Sequence, residues 1–496
     1  MQVLLLILVA VVLVPSDLAV PPRPWLASLV VCGGCLLLVT LAAIQARILQ
    51  RDHSGRLAIR RIETIARSQR ILQWSAVGLV IVGVIGLGFR SGVRDLLGDL
   101  PLLDELVTVS PALLAIVAGW WIYHPFEARA REATLLRRID AGETIHPPPG
   151  RAASVGLQIR SQMLMILVPI ALLATTGEIA GILVDRTQLP AGWPSASLPL
   201  LAIVPAVLLA PWLVVRVAGA RPLPAGEIRD ALQAMCREAR VGVRDLLLWP
   251  TNGLVINAGI TGLWSRWRWV MLTDGLLESL RREQVMAVMA HELAHARRHH
   301  MVWMALSVVA LVVAAGVVVD PVVLLLREWR LESGGSIEAI QRDLEWLDVV
   351  AMSAVLVVVL SGFGWVSRRF ERQADAFAAV RLSQGEQMRV VARVDSVTAP
   401  GIDAMSSALL AVSDANGVSS RRFSWRHGSI ESRCRHLAGL IDRPIDALPI
   451  DRTVKRINLS SIAVILASVL WWWIGSGDDP GGVLDPVVVV EARILR

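Results

Sequence analysis

The residues best suited to do chemistry lie in the segment HELAH, residues 291–295. Residues four apart share one face of an α-helix, so His291 and His295 can present their imidazoles to one metal ion. Glu292 follows His291 directly, and its carboxylate is then close enough to take a proton from a water molecule beside that ion. The spacing H-E-x-x-H is typical of zinc sites that hydrolyse peptide bonds, and it predicts one zinc ion per chain.

The residues around HELAH bear on whether it is a metal site or a polar helix end. The preceding run QVMAVMA is apolar on all sides, which predicts a buried helix. A buried cluster of two histidines and a glutamate needs a metal or other partners to offset its desolvation. The alternative is a polar helix end near a membrane surface, and the residues after the motif fit it. We assign four of them to the membrane interface rather than to catalysis: Arg297, Arg298, His299 and His300.

A catalytic zinc ion takes three protein ligands and keeps one position open for water. The best candidate for the third ligand is Glu371, in the segment SRRFERQADAFAA. Asp375 follows four residues later on the same helix face, where it is predicted to hydrogen-bond a ligand imidazole. The alternative for both carboxylates is a solvated helix face paired with Arg368, Arg369 and Arg372. Composition alone does not decide between these two interpretations.

The composition is that of an integral membrane protein. Of the 496 residues, 54% are hydrophobic and 18% charged, against about 25% charged in a typical soluble domain. A bilayer core about 30 Å thick needs roughly 20 apolar residues in a helix. The first residues have no basic segment and no cleavage site, so they are interpreted as a membrane helix and not as a signal peptide. Nine spans are predicted: 2–20, 25–46, 71–89, 106–124, 163–184, 196–217, 302–325, 347–366 and 457–475.

The distribution of charge predicts how the chain is oriented in the membrane. The net charge is +7, and segments 47–70 and 125–162 are rich in arginine, whereas 90–105 and the C-terminal tail are acidic. Because arginine-rich loops stay in the cytoplasm, the N-terminus and both basic segments are expected there. Segments 218–301 and 367–456, which hold the candidate chemistry, then also face the cytoplasm of the cell (inner) membrane. Topology accounts for the arginines, so no nucleic-acid partner is expected.

Short elements are predicted between the spans. Residues 225–240 have the pattern of a helix, and three strands are expected at 243–250, 253–260 and 268–273. A helical stretch is predicted from about residue 274 to residue 300. The chain is accordingly divided into N-terminal membrane helices 1–124, a basic cytoplasmic loop 125–162, a helix pair 163–217, a first peptidase part 218–301, a helix pair 302–366, a second peptidase part 367–456, and a last membrane helix with an outside tail 457–496.

Several segments, taken in order, resemble the M48 family of membrane zinc peptidases, which includes the CAAX prenyl protease and bacterial heat-shock membrane protease types. The matching segments are NAGITG (257–262), LTDGLLESL (272–280), HELAH (291–295), E-x-x-A-D (371–375) and HGSIESRCRHL (427–437). Together they span about residues 225–440. One departure is Gly428, which stands where the family usually has proline.

The resemblance implies a role for each matching residue. It makes His291, His295 and Glu371 the zinc ligands and Glu292 the general base. His427 corresponds to the histidine that stabilises the oxyanion, whereas Asn257 and Arg433 are implied to bind substrate. The implied fold is mainly α: a polytopic membrane bundle of about nine spans with a small cytoplasmic α+β zinc peptidase domain of the gluzincin type.

The expected function is a zinc-dependent membrane endopeptidase, acting on peptides or membrane proteins in quality control or processing. One alternative is a sensor-transducer peptidase of the M56 type, which also joins membrane helices to H-E-x-x-H; NAGITG and HGSIESR argue against it. A second alternative is a catalytically silent membrane scaffold that retains the motif. The lipid bilayer is an expected partner, and the sequence leaves the natural substrate and the oligomeric state open.

Overall fold

The computed structural model describes residues 2–13, 23–51, 58–98, 100, 102–140, 149–187, 193–387 and 395–477. These residues form a mainly α-helical fold with one small sheet, which confirms the expected fold class. The helices are α1 Gln2–Leu13, α2 Pro24–Ser28, α3 Gly34–Arg51, α4 Ala58–Leu87, α5 Phe89–Leu97, α6 Leu103–Asp140, α7 Arg151–Gln158, α8 Met165–Thr187, α9 Trp193–Ala218, α10 Glu227–Glu238, α11 Asp274–Ser279, α12 Arg282–Arg297, α13 His300–Glu332, α14 Ile337–Gln387, α15 Ala399–Ala415, α16 Ile430–Ala438 and α17 Pro449–Gly477. The strands are β1 Arg221–Pro222, β2 Asp245–Trp249, β3 Ala258–Thr261 and β4 Trp269–Thr273.

Within the described ranges, seven helices are long and apolar enough to cross a membrane, which agrees with a polytopic membrane protein. They cover Pro24–Arg51, Thr64–Leu87, Leu103–Arg129, Arg151–Val184, His300–Glu332, Ile337–Gln384 and Ile445–Trp471. Two of the nine predicted spans are not among them. The span 2–20 begins as α1, and its residues 14–20 lie outside the described residues; the span 196–217 corresponds to α9, which contains the shorter apolar helix Val204–Ala218.

The predicted basic loop 125–162 is largely helical instead. Helix α6 continues past the membrane span to Asp140, and the chain is helical again from Arg151. The arginines of this segment therefore lie on helices that extend the spans, since arginine is a good helix former wherever its charged end can reach water. Residues 141–148, between the two helices, lie outside the described residues.

The chain divides into two compact units. The first comprises Met1–Leu293 with Gly335–Trp346 and Asp414–Gly417, and the second comprises Ala294–Gly334, Leu347–Ser413 and Val418–Arg496. The boundary between Leu293 and Ala294 falls inside α12, so both units include part of this one helix.

The first unit contains the four-stranded sheet, with strand order β1-β2-β4-β3. Strands β2 and β4 are parallel, whereas β1 and β3 pair antiparallel with their neighbours. All five residues of β4 are buried, as expected for a central strand, and β3 forms one edge. The strands predicted at 243–250 and 268–273 are confirmed. The one predicted at 253–260 begins later, at Ala258.

The late start of β3 has a local cause. The main-chain nitrogen of Thr251 donates to the carboxylate of Asp274 at 3.0 and 2.9 Å, and Asn252 has a left-handed φ of 53°. These features bend the chain into a turn directly before the predicted strand. The first residues after the turn are therefore loop.

The helical stretch predicted over about 274–300 is divided by two breaks. Thr273 caps α11 by accepting a hydrogen bond from the main-chain nitrogen of Leu276 at 3.2 Å, and Leu280 leaves the helix with extended dihedrals. Helix α12 then carries HELAH and ends at Arg297. His299 has a left-handed φ of 54°, which turns the chain before α13 begins at His300.

Candidate metal centre

Helices α12 and α14 bring the predicted metal ligands together. One ligand atom each from His291, His295 and Glu371 lies within 4.8 Å of the others. His295 Nε2 is 3.7 Å from Glu371 Oε1, which assigns Nε2 as the nitrogen of His295 that faces the cluster. His291 and Glu371 are buried, being 8% and 5% exposed.

The donor set fits a catalytic zinc ion. Two imidazole nitrogens and one carboxylate are ligands that zinc accepts, and three protein ligands leave a fourth position for water or substrate. Helix α14 supplies Glu371, the predicted third ligand, without a break because it continues from the membrane span to Gln387.

Helix α12 is buried on several faces. Ala287, Met289 and Leu293 are fully covered, as the apolar run QVMAVMA before HELAH predicted. Glu292, the predicted general base, follows His291 directly on this helix and is half-buried. A partly covered carboxylate can exchange protons with water and still be held in position, which is what a general base requires.

The carboxylate of Glu371 is also held by two basic side chains. His427 Nδ1 lies 3.0 Å from Glu371 Oε1, and Arg433 Nη1 lies 3.3 Å from Glu371 Oε2. The His427 side chain is 47% exposed, whereas that of Arg433 is buried. His427 therefore lies at the solvent-facing side of Glu371, and Arg433 contacts it from the protein interior.

Arg433 and Asp375 form a buried pair. Arg433 donates from Nε and Nη2 to the two oxygens of Asp375 at 2.7 and 2.6 Å. Burial by itself lowers the pKa of the guanidinium, but the charge and hydrogen bonds of Asp375 and the charge of Glu371 raise it above its ordinary value. Arg433 was predicted to bind substrate, and it is instead a buried cation between two carboxylates. Asp375, predicted to support a ligand imidazole, accepts these two hydrogen bonds from Arg433.

The turn that presents His427 uses a glycine conformation. Ser424 and Gly428 exchange main-chain hydrogen bonds of 3.1 and 2.8 Å, and Gly428 has a φ of 75°. Proline is restricted to a φ near −65°, so the usual family residue could not adopt this backbone. Ser429 then caps α16 by accepting from Ser432 N at 3.2 Å. The departure from the family pattern is therefore matched by a different turn.

Asn257 lies directly before the edge strand β3. Its main chain is held in place, since Asn257 N donates to Thr273 Oγ1 at 3.0 Å and Thr273 N donates to Asn257 O at 3.1 Å. Its side chain is exposed. The preceding residue, Ile256, is bound through its main chain to the side chain of Asn416, at 2.9 and 3.3 Å. The residue predicted to bind substrate is thus exposed on an ordered segment.

The prediction that His300 lies at a polar helix end near the membrane surface is wrong. Its neighbours Arg297, Arg298 and His299 are exposed, as expected for a polar helix end, but the His300 side chain is completely buried. Its Nδ1 lies 2.9 Å from Nδ1 of His295. The break at His299 turns the chain and brings His300 back against the ligand. A continuous helix, as predicted, would not have indicated this contact.

Comparison with known proteins gives a matching family model, related sequences and a solved structure. The model of peptidase family M48 matches residues 222–440. The chain is 26% identical over 220 residues to "Protease HtpX" of Actinobacillus pleuropneumoniae serotype 5b (strain L20), which covers 42% of this chain and 71% of that protein. It is 32% identical over 189 residues to "Protease HtpX homolog" of Leptothrix cholodnii (strain ATCC 51168 / LMG 8142 / SP-6), covering 36% and 61%. The crystal structure of S. mikatae Ste24p superposes with a TM-score of 0.39 at 14% identity, covering 84% of this chain and 99% of that chain.

The matched residues include both helices of the candidate metal centre. Residues 222–440 contain α12 with HELAH, α14 with Glu371, and α16 with Arg433. Helices α13 and the first part of α14, which lie between HELAH and Glu371, are among the seven that are long and apolar enough to cross a membrane. Residues 222–440 therefore match the model of peptidase family M48, and they lie in a chain whose described residues include seven helices long and apolar enough to cross a membrane.

Proposed function

We propose that the protein is a zinc-dependent endopeptidase whose single zinc ion is held by His291, His295 and Glu371. The observation that carries the proposal is the convergence of these three ligand atoms within 4.8 Å. The donor types and the buried position support zinc, and the M48 match supports peptide-bond hydrolysis.

Zinc bound there would supply a Lewis acid for the scissile carbonyl and would lower the pKa of water to about 7. Glu292 is proposed to take the proton from the attacking water and to pass it to the departing amine. His427 is proposed to donate a hydrogen bond to the carbonyl oxygen as negative charge develops on it. Its Nδ1 contacts Glu371, so Nε2 of this half-exposed ring is the nitrogen that would face the substrate.

The substrate is proposed to bind as an extended peptide along the edge strand β3. Main-chain hydrogen bonds to an edge strand depend little on side-chain identity, so they suit an enzyme that cleaves many sequences. The exposed amide of Asn257 would fix the register of this added strand. Peptides and damaged or immature membrane proteins are the substrates that fit an endopeptidase embedded in a bilayer, in quality control or in processing.

Measurement of zinc together with activity tests this function. The purified full-length protein is expected to contain one zinc per chain and to cleave casein. Removal of the metal by a chelator should abolish cleavage, and added Zn²⁺ should restore it. The variant Glu371→Gln is expected to lose most of the bound zinc, because it replaces a charged ligand by a neutral amide. A folded wild-type protein without zinc and without cleavage would show instead that the chain is a silent scaffold.

We further propose that the metal centre faces the cytoplasm at the cell (inner) membrane, because the arginine-rich segments 47–70 and 125–162 are expected on that side. A cysteine introduced at Arg435, whose side chain is 75% exposed, reports the orientation. With the four native cysteines replaced by serine, this cysteine should react with a membrane-impermeant maleimide only after the cells are permeabilised. Labelling in intact cells would contradict the proposed orientation.

A further inference from the structure

A series of hydrogen bonds runs from His295 to α17, and we call it the His295–Asp451 series. His295 Nδ1 lies 2.9 Å from His300 Nδ1, and His300 Nε2 lies 2.8 Å from Gln373 Oε1. Gln373 Nε2 then donates to Asp451 Oδ1 at 2.6 Å. Asp451 also lies 3.4 Å from Arg298 Nη2. The four members come from α12, α13, α14 and α17.

The direction of each hydrogen bond follows from the carboxylate of Asp451, which ends the series. Asp451 can only accept, so Gln373 must present its NH₂ group to Asp451 and its carbonyl oxygen to His300. That oxygen needs a donor, which places the proton of neutral His300 on Nε2. Nδ1 of His300 is then an acceptor, so the shared proton is carried by Nδ1 of His295. Nε2 of His295, which faces Glu371, is consequently the unprotonated nitrogen of this ring, the form that can bind a metal ion.

The side chains packed around the His295–Asp451 series fix its rings in place. The His300 ring is fully buried and stacks on Phe370 with a centroid distance of 4.8 Å and an interplanar angle of 10°. The His295 ring meets it edge-on, at 4.9 Å and 80°. Gln373 is 5% exposed. Stacking sets the plane of the His300 ring, and the two hydrogen bonds set its rotation within that plane.

We propose that His300, Gln373 and Asp451 are positioning residues that fix the tautomer and orientation of His295 for metal binding. This inference rests on the proposed function, since it needs a metal at His295. Partners of this kind raise metal affinity because the ligand nitrogen is already deprotonated and aimed before the ion arrives. The position of His300 in the sequence predicts a place at the membrane interface, so this role arises from the fold alone.

The His295–Asp451 series also links the metal centre to the packing of membrane helices. Helices α13 and α17 pack against each other, with Ser307 Oγ and Ser461 Oγ 3.3 Å apart, and they carry His300 and Asp451. His295 is therefore supported only when α13, α14 and α17 are assembled. A protein whose last membrane helix has not packed should bind zinc less tightly.

Zinc affinity of three variants tests the proposal, measured by competition with a chromophoric chelator on full-length protein carrying Glu292→Gln to prevent self-cleavage. His300→Phe keeps the ring and its stacking but removes both nitrogens, so the dissociation constant should rise by about 10–100-fold. His300→Asn keeps an acceptor near the position of Nδ1 and should recover part of that loss. The matched control is His299→Asn, at an exposed left-handed residue, which should stay within about two-fold because asparagine tolerates that φ.

The order of the two His300 variants separates positioning from filling of space. If His300 only filled a cavity, phenylalanine, which is larger and can stack, would preserve the site better than asparagine. Tighter zinc binding by His300→Phe than by His300→Asn would therefore overturn the proposal. If His300→Phe does not fold, the zinc affinity of Gln373→Met tests the proposal instead. An affinity equal to that of the wild type would overturn it. A wild-type protein that binds no zinc would refute the proposed function as well, whereas zinc in wild type with unchanged variants would refute the positioning role alone.

Discussion

Replacement of Glu292 by glutamine is expected to lower kcat/KM for peptide hydrolysis by about 10²–10⁴-fold, the range that general acid–base catalysis contributes. This corresponds to roughly 2.7–5.5 kcal/mol of transition-state stabilisation, at 1.36 kcal/mol for each factor of ten. The amide has nearly the shape of the carboxylate but cannot take a proton from water. His291, His295 and Glu371 are unchanged, so the variant should still bind one zinc per chain.

Cleavage of casein and zinc content, measured on the same preparations, check this prediction. Glu283→Gln is the matched control because Glu283 lies on the same helix α12, in its exposed first turn. It makes the same chemical change away from the ligands and should retain wild-type activity. Proteolysis by Glu292→Gln at the wild-type rate would contradict the role of Glu292. Loss of zinc from this variant would show that the side chain supports the metal as well.

Arg433→Met is expected to lower the free energy of unfolding by about 3–5 kcal/mol, the cost of removing one partner from a buried ion pair. The reason is that Asp375, which is fully buried, loses both hydrogen bonds from Nε and Nη2 of Arg433. Glu371 loses its contact of 3.3 Å with Nη1 of the same guanidinium. The two carboxylates then repel each other without a cation between them, so zinc affinity should fall together with stability.

Denaturant unfolding of the purified protein in detergent, with zinc titration of the folded fraction, measures both effects. Arg435→Met is the matched control on the same helix α16. Arg435 is 75% exposed and pairs with Glu431 at 3.1 Å across one helical turn, an interaction worth a few tenths of a kcal/mol. Equal stability of the two variants would contradict the interpretation of Arg433 as a buried cation that holds both carboxylates.

Much of the site could be predicted from local patterns. His291 and His295 share a helix face because they are four residues apart, and this holds in any α-helix regardless of the rest of the fold. Glu371 was found because a catalytic zinc needs a third ligand and because the M48 resemblance supplied a position for it. The roles of Asp375 and Arg433 depend on contacts between distant segments, and sequence spacing does not predict such contacts. Asp375 lies 58 residues from Arg433 in sequence, and their pairing is visible only once α14 and α16 are folded.

The sequence by itself indicated the membrane character of the chain, the helix that carries HELAH and the three candidate ligands. The membrane character depends on composition, the helix on its periodicity, and the candidate ligands on the donor types that zinc requires. The tertiary structure alone decided that Arg433 is buried against Glu371 and Asp375, and that His300 contacts His295. The reason is that a left-handed residue, His299, turns the chain at one point, and helix packing then selects the partners. The candidate metal centre is therefore predictable in its ligands, whereas the groups that orient those ligands come from the fold.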